Sequence, residues 1–177
     1  MRLEIKEKGN EAFYREAINV ATQYRRLLQN PERKLTDYFK AYKIYTILCA
    51  VLAVLIAAMN IAWGWDTLGT VALVALIIVA IFSAAFWKRM NGLQKSMMDD
   101  PRTSVFTMDE RGVELNKGDS QTVRMSWDNL AFVRIFDESI SFFTKDGMGF
   151  IITVNRRYAK EILEYLQAER PDVKIVR

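Results

Sequence analysis

The amino-acid sequence predicts an α+β membrane protein, in which a two-helix transmembrane hairpin is joined to a cytoplasmic antiparallel β-barrel or sheet that is capped by a C-terminal helix. Three observations predict this class. Two long apolar runs lie in the middle of the 177-residue chain, basic residues flank them, and short segments rich in β-branched and aromatic residues follow them. Such segments, separated by turn residues, are typical of strands.

Residues 44–63 and 68–87 form the two apolar runs, and neither contains Lys, Arg, Asp or Glu. A helix of this length is about 30 Å long, which matches the hydrocarbon core of a bilayer. The eleven Leu, Ile, Val and Phe residues of the second run contribute roughly −3 to −6 kcal/mol to membrane insertion. A buried hairpin in a soluble core is the alternative interpretation. It is disfavoured because water-soluble helices carry a polar stripe, whereas these runs are apolar on all sides.

Basic residues lie on the outer flanks of both runs, whereas the connection at residues 64–67 has none. The positive-inside rule therefore predicts a multi-pass protein of the plasma membrane with both termini in the cytoplasm. Tyr and Trp residues at the ends of the runs match the aromatic belts of membrane interfaces. The juxtamembrane basic residues that we expect to face anionic lipid are Arg33, Lys34, Lys40, Lys43, Lys88, Arg89 and Lys95.

Composition excludes several classes of site and partner. The net charge is +4, and residues 1–43 hold ten basic and six acidic residues, so contact with lipid explains the basic pI and no nucleic-acid partner is expected. The chain has no His, and its one cysteine, Cys49, lies inside the first apolar run. Disulfides, Cys/His zinc sites and Ser-His-Asp catalysis are thereby excluded. We expect no cofactor, no bound metal and no catalytic residue.

The chain is predicted to divide into three parts. Residues 1–30 form a strand and an amphipathic helix, residues 31–98 form the hairpin with its cytoplasmic extensions, and residues 102–177 form the cytoplasmic domain. Alternation over residues 1–8 predicts the strand, and apolar spacing over residues 11–28 predicts the helix. The apolar face of this helix either packs on the cytoplasmic domain or lies flat on the membrane, and its mixed charges favour packing.

Caps and periodicity predict the remaining elements. Asn30 and Pro31 match an N-cap followed by proline at the first helical position, which predicts a helix that begins there and runs into the first span. Beyond residue 102 the period changes to two. Asn155 is predicted to cap a final helix that Pro171 ends. The predicted strands cover residues 104–108, 113–116, 122–127, 131–136, 140–144 and 149–154.

Trp127 is the expected core anchor of the cytoplasmic domain. It shares an alternating strand face with Val123 and Met125. Residues 102–177 comprise only 76 residues, which is few for an independent core. We therefore predict that the N-terminal strand and helix complete this core.

Three runs of the C-terminal part resemble a known family. VFTMDERGV at residues 105–113, SWDNL at 126–130 and IITVNRRY at 151–158 resemble, in order and spacing, the YcxB-like bacterial membrane proteins. The resemblance spans nearly the whole chain, and it implies a bacterial inner-membrane protein with a membrane hairpin and a C-terminal pleckstrin-homology-like (PH-like) domain. Where the family usually has Pro before the basic pair, this chain has Asn155. The resemblance implies no established activity.

A PH-like fold suggests phosphoinositide binding, but the residues of its first turn do not support it. Phosphoinositide-binding members carry several Lys and Arg there to pair with phosphates, whereas residues 109–111 of this chain are net acidic. The basic cluster of the domain is Arg156, Arg157 and Lys160, at a helix start where positive charge is unfavourable to the helix dipole. These three residues are candidate contacts for a partner or a lipid headgroup. A solvated or membrane-facing helix end is the alternative.

Two function classes remain open from the sequence. The first is a membrane-tethered binding or scaffolding module that presents its PH-like domain at the inner leaflet, with a protein partner or a second copy bound through the hairpin. The second is a small subunit of a transport or channel complex, which the scarcity of polar residues in the spans disfavours. No small-molecule substrate is evident. Adjacent carboxylates such as Asp109 and Glu110 are explained by turn solvation, so no enzyme is predicted.

Overall fold

The computed structural model describes residues 2–100, 102–118, 122–145 and 151–177. These residues form an α+β protein with two long apolar helices and two small β-sheets. The elements in chain order are β1 (Leu3–Glu7), α1 (Glu11–Thr22), α2 (Tyr24–Gln29), α3 (Tyr38–Trp63), α4 (Thr67–Asp99), β2 (Ser104–Asp109), β3 (Gly112–Asn116), β4 (Thr122–Ser126), β5 (Leu130–Ile135), β6 (Ser139–Thr144), β7 (Ile151–Asn155), α5 (Ala159–Glu169) and β8 (Ile175–Val176).

The chain divides into two compact units. The helical unit consists of Thr36–Lys95, and the β unit consists of Met1–Leu35 together with Ser96–Arg177. The divisions lie a few residues from the predicted boundaries at residues 30 and 98. Segments from both ends of the chain therefore build one folded unit.

The β unit contains two four-stranded sheets. The first sheet has the order β1-β2-β3-β4 and the second has the order β7-β6-β5-β8; neighbours are antiparallel except β5 and β8, which are parallel. Across the described residues the two sheets stay separate, so the predicted barrel or sheet is a pair of sheets and no closed barrel forms. A 3-10 turn at Trp127–Asn129 lies between β4 and β5, where the chain passes from the first sheet to the second.

The N-terminal strand belongs to the same sheet as strands that follow the hairpin. β1 pairs antiparallel with β2, and Glu7 lies opposite Ser104. Ile5 and Glu7 are buried, whereas Glu4, which precedes Ile5, and Lys6, which lies between them, are exposed. This is the alternation that the sequence predicts for a strand with one face towards a core.

The main core of the β unit is built from side chains of both sheets and α5. Trp127 is 6% exposed there, which confirms the predicted anchor. Its ring stacks with that of Tyr165 at a centroid distance of 6.5 Å, and its Nε1–H donates to the carbonyl of Asp109 at 2.8 Å. The largest fully buried side chains of this core include Phe106, Met108, Phe142, Ile152 and Ile162.

Helices α1 and α2 pack against the second sheet. Leu27 is fully buried in a cluster that contains Phe132 and Phe143. The ring of Tyr24 stacks with Phe143 at 5.8 Å, and its hydroxyl lies 2.8 Å from the Oγ1 of Thr144. The apolar face of the N-terminal helical segment therefore packs on the β unit.

A half-buried carboxylate also holds α1 in place. The Oε1 of Glu16 accepts hydrogen bonds from the N–H of Glu138 at 3.0 Å and from the hydroxyl of Ser139 at 2.7 Å. Burial raises the pKa of Glu16 above its usual range, and these hydrogen bonds oppose the rise. The start of β6 is thus joined to α1 by polar as well as apolar contacts.

The helix predicted over residues 11–28 consists of two helices separated by Gln23. The N–H of Gln23 is shared between the carbonyls of Asn19 and Val20, each at 3.1 Å. Such bifurcated bonds are common where a helix ends. The apolar spacing continues through the break, which is why periodicity alone does not reveal it.

The prediction that a helix begins at Pro31 is wrong. The Oδ1 of Asn30 accepts from the N–H of Glu32 at 3.3 Å, and the Asn30 carbonyl accepts from the N–H of Arg33 at 3.1 Å, so these four residues form a turn. Asn and Pro are also the favoured first and second residues of a type I turn, and this alternative prevails here. Helix α3 begins only after Asp37, whose carboxylate caps it.

The strands after the hairpin lie within two residues of their predicted bounds. The strand predicted to end at Trp127 ends one residue earlier, because Trp127 begins the 3-10 turn. Residues 149–150, predicted as strand, lie outside the described residues. Asn155 caps the 3-10 turn Arg156–Tyr158 that precedes α5 rather than α5 itself. Strand β8 was not predicted.

Helices α3 and α4 of the helical unit are long and apolar enough to cross a membrane, as judged by length and composition. Only 6% of the most apolar window of each is buried, whereas a core helix of a soluble protein is mostly buried. Large apolar side chains are exposed, with Ile61 at 74% and Leu68 at 82%. The buried residues of this unit are Phe39, Ala53, Asn60, Ser83, Met90 and Gln94.

Candidate functional site

Glu7 is an acidic residue on the inward face of β1. Alternation places it on the same side of the strand as Ile5, and the two side chains are 4% and 6% exposed respectively. Carboxylates are almost never this buried unless they are paired. Glu7 is therefore an unusual polar position of the β unit.

One oxygen of Glu7 joins the two sheets. Its Oε1 accepts a hydrogen bond from the N–H of Asn155 at 2.7 Å, and Asn155 is the last residue of β7. Close by, the hydroxyl of Tyr158 donates to the carbonyl of Lys6 at 2.9 Å. The end of β1 and the end of β7 are thus connected by side chains rather than by a ladder of backbone bonds.

The other oxygen of Glu7 has no hydrogen-bond partner among the described residues. Its Oε2 is buried, and an unpartnered buried acceptor costs free energy. Burial raises the pKa of Glu7 from 4.5 to about 7, although the hydrogen bond from Asn155 and the charges of Arg157 and Lys117 lower it. Near neutral pH, Glu7 is therefore divided between its protonated and ionised forms.

Glu7 lines a cavity of about 210 Å³ in the β unit, which we call the Glu7 cavity. α1 supplies one wall, and the adjoining parts of β2, β3 and β7 supply the others. The apolar lining consists of Phe13, Ala17, Ile18, Ala21, Met97, Leu115 and Ile151. The polar lining consists of Glu7, Tyr14, Asp100, Arg102, Ser104, Lys117 and Thr153, together with Gly9.

The sequence between β1 and α1 positions the aromatic wall of the cavity. Asn10 caps α1, and its Oδ1 accepts from the N–H of Phe13 at 2.9 Å. The ring of Phe13 lies against Gly9, where a Cβ atom would collide with it. The N–H of Gly9 donates to the hydroxyl of Tyr14 at 3.3 Å. A glycine at this position lets α1 begin close enough to β1 to cover the cavity.

Asp100 and Arg102, which also line the cavity, are paired with each other. The Nε and Nη2 of Arg102 donate to the two carboxylate oxygens of Asp100 at 2.8 and 2.7 Å. This pairing lowers the pKa of Asp100 to about 2. The charges of Asp100 and Arg102 cancel. The net charge of the rest of the lining therefore depends on Lys117 and on whether Glu7 is ionised.

The predicted contact residues Arg156, Arg157 and Lys160 are all exposed and lie just after β7. The Nη1 of Arg156 donates to the carbonyl of Asp137 at 3.3 Å. The guanidinium of Arg157 stacks over the ring of Tyr158 at 4.6 Å, and its charge acts on Glu7. The cluster thus lies near the Glu7 end of β7, and its contact with a partner or lipid stays a prediction.

The juxtamembrane basic residues are also exposed. They flank the apolar runs 44–63 and 68–87 in sequence, and five of them lie in the polar end segments of α3 and α4. Exposure is compatible with the predicted contact to anionic lipid, which stays a prediction. The residues are Arg33, Lys34, Lys40, Lys43, Lys88, Arg89 and Lys95.

Sequence reasoning missed two buried charged residues, Glu7 and Arg134. Arg134 is 7% exposed on β5, and its guanidinium stacks over the ring of Phe136 at 4.5 Å. Its Nε and Nη1 have no hydrogen-bond partner in the described ranges, and burial lowers its pKa. The sequence carried a signal for both residues. Arg134 is two residues from the buried Phe132 and Phe136, and Glu7 is two residues from the buried Ile5; in a strand this is the spacing of side chains on one face.

The Glu7 cavity combines an enclosed apolar wall with one buried, incompletely partnered carboxyl group. This combination suits binding of a small molecule that has both apolar and hydrogen-bonding parts. Among the residues that the structure describes, no group of three or more Cys, Asp or Glu is arranged to hold a metal ion. No protein-family model, curated protein or solved structure matches the chain.

Proposed function

We propose that this chain is a membrane-tethered binding module. In this proposal α3 and α4 cross the bacterial plasma membrane, and the β unit, a PH-like domain of the YcxB-like kind, lies on the cytoplasmic side and binds its ligand in the Glu7 cavity. The single observation that carries the binding role is the buried carboxyl group of Glu7, a residue that lines the cavity and whose Oε2 has no partner among the described residues.

The surface of the helical unit supports membrane insertion. Large apolar side chains are exposed along α3 and α4, and a soluble monomer rarely exposes contiguous apolar patches of more than a few hundred Å². The buried positions of the unit include small and polar residues such as Ala53 and Ser83, whereas the outer surface is apolar. This inverts the pattern of a water-soluble helix pair and matches helices solvated by lipid.

Pairing of β1 with β2 supports the proposed topology independently of the positive-inside rule. The two strands flank the helical unit in sequence, yet they form one antiparallel ladder. Strands that pair must lie on the same side of a membrane, so the chain between them must cross an even number of times. Two crossings by α3 and α4 satisfy this requirement.

The arrangement of the β unit supports the proposed PH-like identity. Two small, mainly antiparallel sheets are followed by the C-terminal helix α5, whose Ile162 and Leu166 are buried in the core. This order of elements agrees with what the resemblance of residues 105–113, 126–130 and 151–158 implies.

Membrane anchoring and topology are tested together. In a Cys49→Ser background, Asp66→Cys and Lys8→Cys provide single labelling sites in the α3–α4 connection and near the N-terminus. We expect an impermeant maleimide to label the first site in intact cells and the second only after lysis, and we expect the protein to resist alkaline extraction. Release of a dispersed monomer at high pH, or labelling of both sites in intact cells, contradicts the proposal.

The transport alternative has one supporting observation. Asn60 and Ser83 are buried in the helical unit, and the Nδ2 of Asn60 has no hydrogen-bond partner in the described residues. Buried polar groups within membrane segments mark permeation routes in many transporters. Solute or ion flux in reconstituted vesicles that is lost in Asn60→Leu would favour this alternative over the binding module.

A further inference from the structure

We propose that the Glu7 cavity binds a small primary amine, whose ammonium group pairs with the carboxylate of Glu7 and whose compact apolar body packs against Phe13, Ile18 and Ile151. This inference deepens the proposed function and rests on its assignment of the cavity as the binding site. It names the chemical class of the ligand.

Cavity size limits the ligand. The volume is about 210 Å³, and a cavity of about 150 Å³ lined by apolar side chains binds benzene. A single aromatic ring or a branched alkyl chain with one polar group therefore fills the site.

The apolar lining determines the body of the ligand. Phe13 and Ile18 of α1 are 6% and 8% exposed, and both line the cavity as part of its apolar wall. Ile151 of β7 and Leu115 of β3 extend this lining from the two sheets. A hydrocarbon body that displaces water from this surface is stabilised by the hydrophobic effect.

The polar end determines the head group. The Oε2 of Glu7 is an acceptor without a donor in the described residues, while Oε1 is already bonded to Asn155. A ligand that brings an N–H group supplies a donor to this incompletely partnered carboxylate, and a charge-assisted bond from an ammonium is about twice as strong as a neutral one. An anionic ligand would instead be repelled by the carboxylate. The ammonium is therefore the head group that the site favours.

The surrounding charges make binding depend on pH. Lys117, Arg157, Asp100, Arg102 and Tyr14 are the charged or titratable groups that line the cavity or act on Glu7. Side chains of these types ordinarily titrate outside the range from pH 6 to pH 8, and the chain has no His. Glu7 is therefore the group whose ionisation governs amine binding in this range.

Benzylamine is the probe for the test, with benzoate and benzyl alcohol as matched anionic and neutral probes. The full-length protein is placed in neutral-lipid nanodiscs, and binding is measured by saturation-transfer NMR against empty nanodiscs. We expect benzylamine to bind about tenfold more weakly at pH 6 than at pH 8, because Glu7 must lose a proton. Benzoate is expected not to bind.

Two variants separate the roles of charge and space. Glu7→Gln keeps the shape and the acceptor for Asn155 but removes the charge, and we expect at least tenfold weaker benzylamine binding with no pH dependence. Ala17→Leu fills the cavity from α1 and leaves Glu7 intact, and we expect it to abolish binding. Both variants are first checked for a cooperative thermal transition.

Three outcomes would overturn the inference. These are no benzylamine binding by the folded wild-type protein, equal affinity for benzylamine and benzyl alcohol, and unchanged benzylamine binding in folded Glu7→Gln. Any of them would mean that water or apolar contact alone fills the cavity. Such a result leaves the extraction and labelling tests of membrane anchoring unaffected, so the two failures are distinguishable.

Discussion

Glu7 and Asn155 are 148 positions apart in the chain, and the backbone N–H of Asn155 donates to the Glu7 carboxylate at 2.7 Å. Their strands, β1 and β7, are edge strands of different sheets. The bond uses one carboxylate oxygen and leaves the other without a partner among the described residues, in a side chain that lines the cavity. A single residue thus connects the two sheets and supplies the polar end of the candidate site.

Replacing Glu7 by Gln is expected to stabilise the β unit at high pH. The pKa of Glu7 is raised from 4.5 to about 7 in the folded protein, so between these values the folded state holds a proton that the unfolded state has lost. Stability of the wild type therefore falls as pH rises through this window, by about 3 kcal/mol. Thermal unfolding should show Glu7→Gln above the wild type at pH 8 and level with it near pH 4.

The control for this prediction is Glu4→Gln. Glu4 lies on the exposed face of the same strand, where its carboxylate accepts from the exposed Arg2 at 3.2 Å. A gain in stability at pH 8 that is as large in Glu4→Gln as in Glu7→Gln would show that general charge, rather than burial of Glu7, causes the effect.

Gly112→Ala is expected to destabilise the β unit by about 2–4 kcal/mol. Gly112 has a φ of +150°, which L-residues rarely adopt, and a Cβ there would collide with the carbonyl of Met125 on the paired strand. The matched control is Gly92→Ala in α4, where, apart from the neighbouring helix backbone, no atom lies within 4 Å of the new methyl group. Thermal melts should show a loss for the first variant and no loss for the second; equal melts would contradict the prediction.

Trp127→Ala is expected to cost about 3–5 kcal/mol of unfolding free energy because it leaves a large cavity in the core. Trp127→Phe retains most of the packing but loses the hydrogen bond to the Asp109 carbonyl, and about 1–2 kcal/mol of loss is expected. Chemical denaturation of both variants tests this order. The anchor role fails if Trp127→Ala unfolds at the wild-type midpoint.

A fragment of residues 102–177 is expected not to fold alone. It lacks β1, which pairs with β2, and it lacks α1 and α2, which cover Phe132 and Phe143 of the second sheet. We expect poor NMR dispersion and no cooperative melt. A sharp unfolding transition of this fragment would show instead that the N-terminal segment is an accessory to a complete core.

The hairpin and the strands after it were predictable because each carries a strong local signal. A long apolar run without charges predicts a long helix. Alternating segments separated by turn residues predict strands, and the predicted strand ends lie within two residues of those in the structure. The turn at Asn30 was mispredicted because the same two residues satisfy a helix start and a type I turn, and the choice depends on distant packing. Strand β8, with only two residues, is too short for any period to be visible.

The candidate site was not predicted, although its signal was present. Glu7 has the parity of Ile5 in the alternating N-terminal segment, which places a carboxylate on the buried face. The bond to Asn155 and the cavity under α1 depend on how the two sheets pack against each other. Local sequence patterns do not predict this packing. The basic cluster at Arg156 was found from sequence because a charge run is visible without knowledge of the fold.

The ladder between β1 and β2 also constrains how the protein is made. β1 leaves the ribosome almost a hundred residues before β2, an interval of about 5–20 s at ordinary rates of synthesis. During that time Ile5 has no sheet to cover it, and the strand remains an unprotected edge. Assembly of the β unit therefore waits until both apolar helices have been translated, and the N-terminal strand stays unpaired until then.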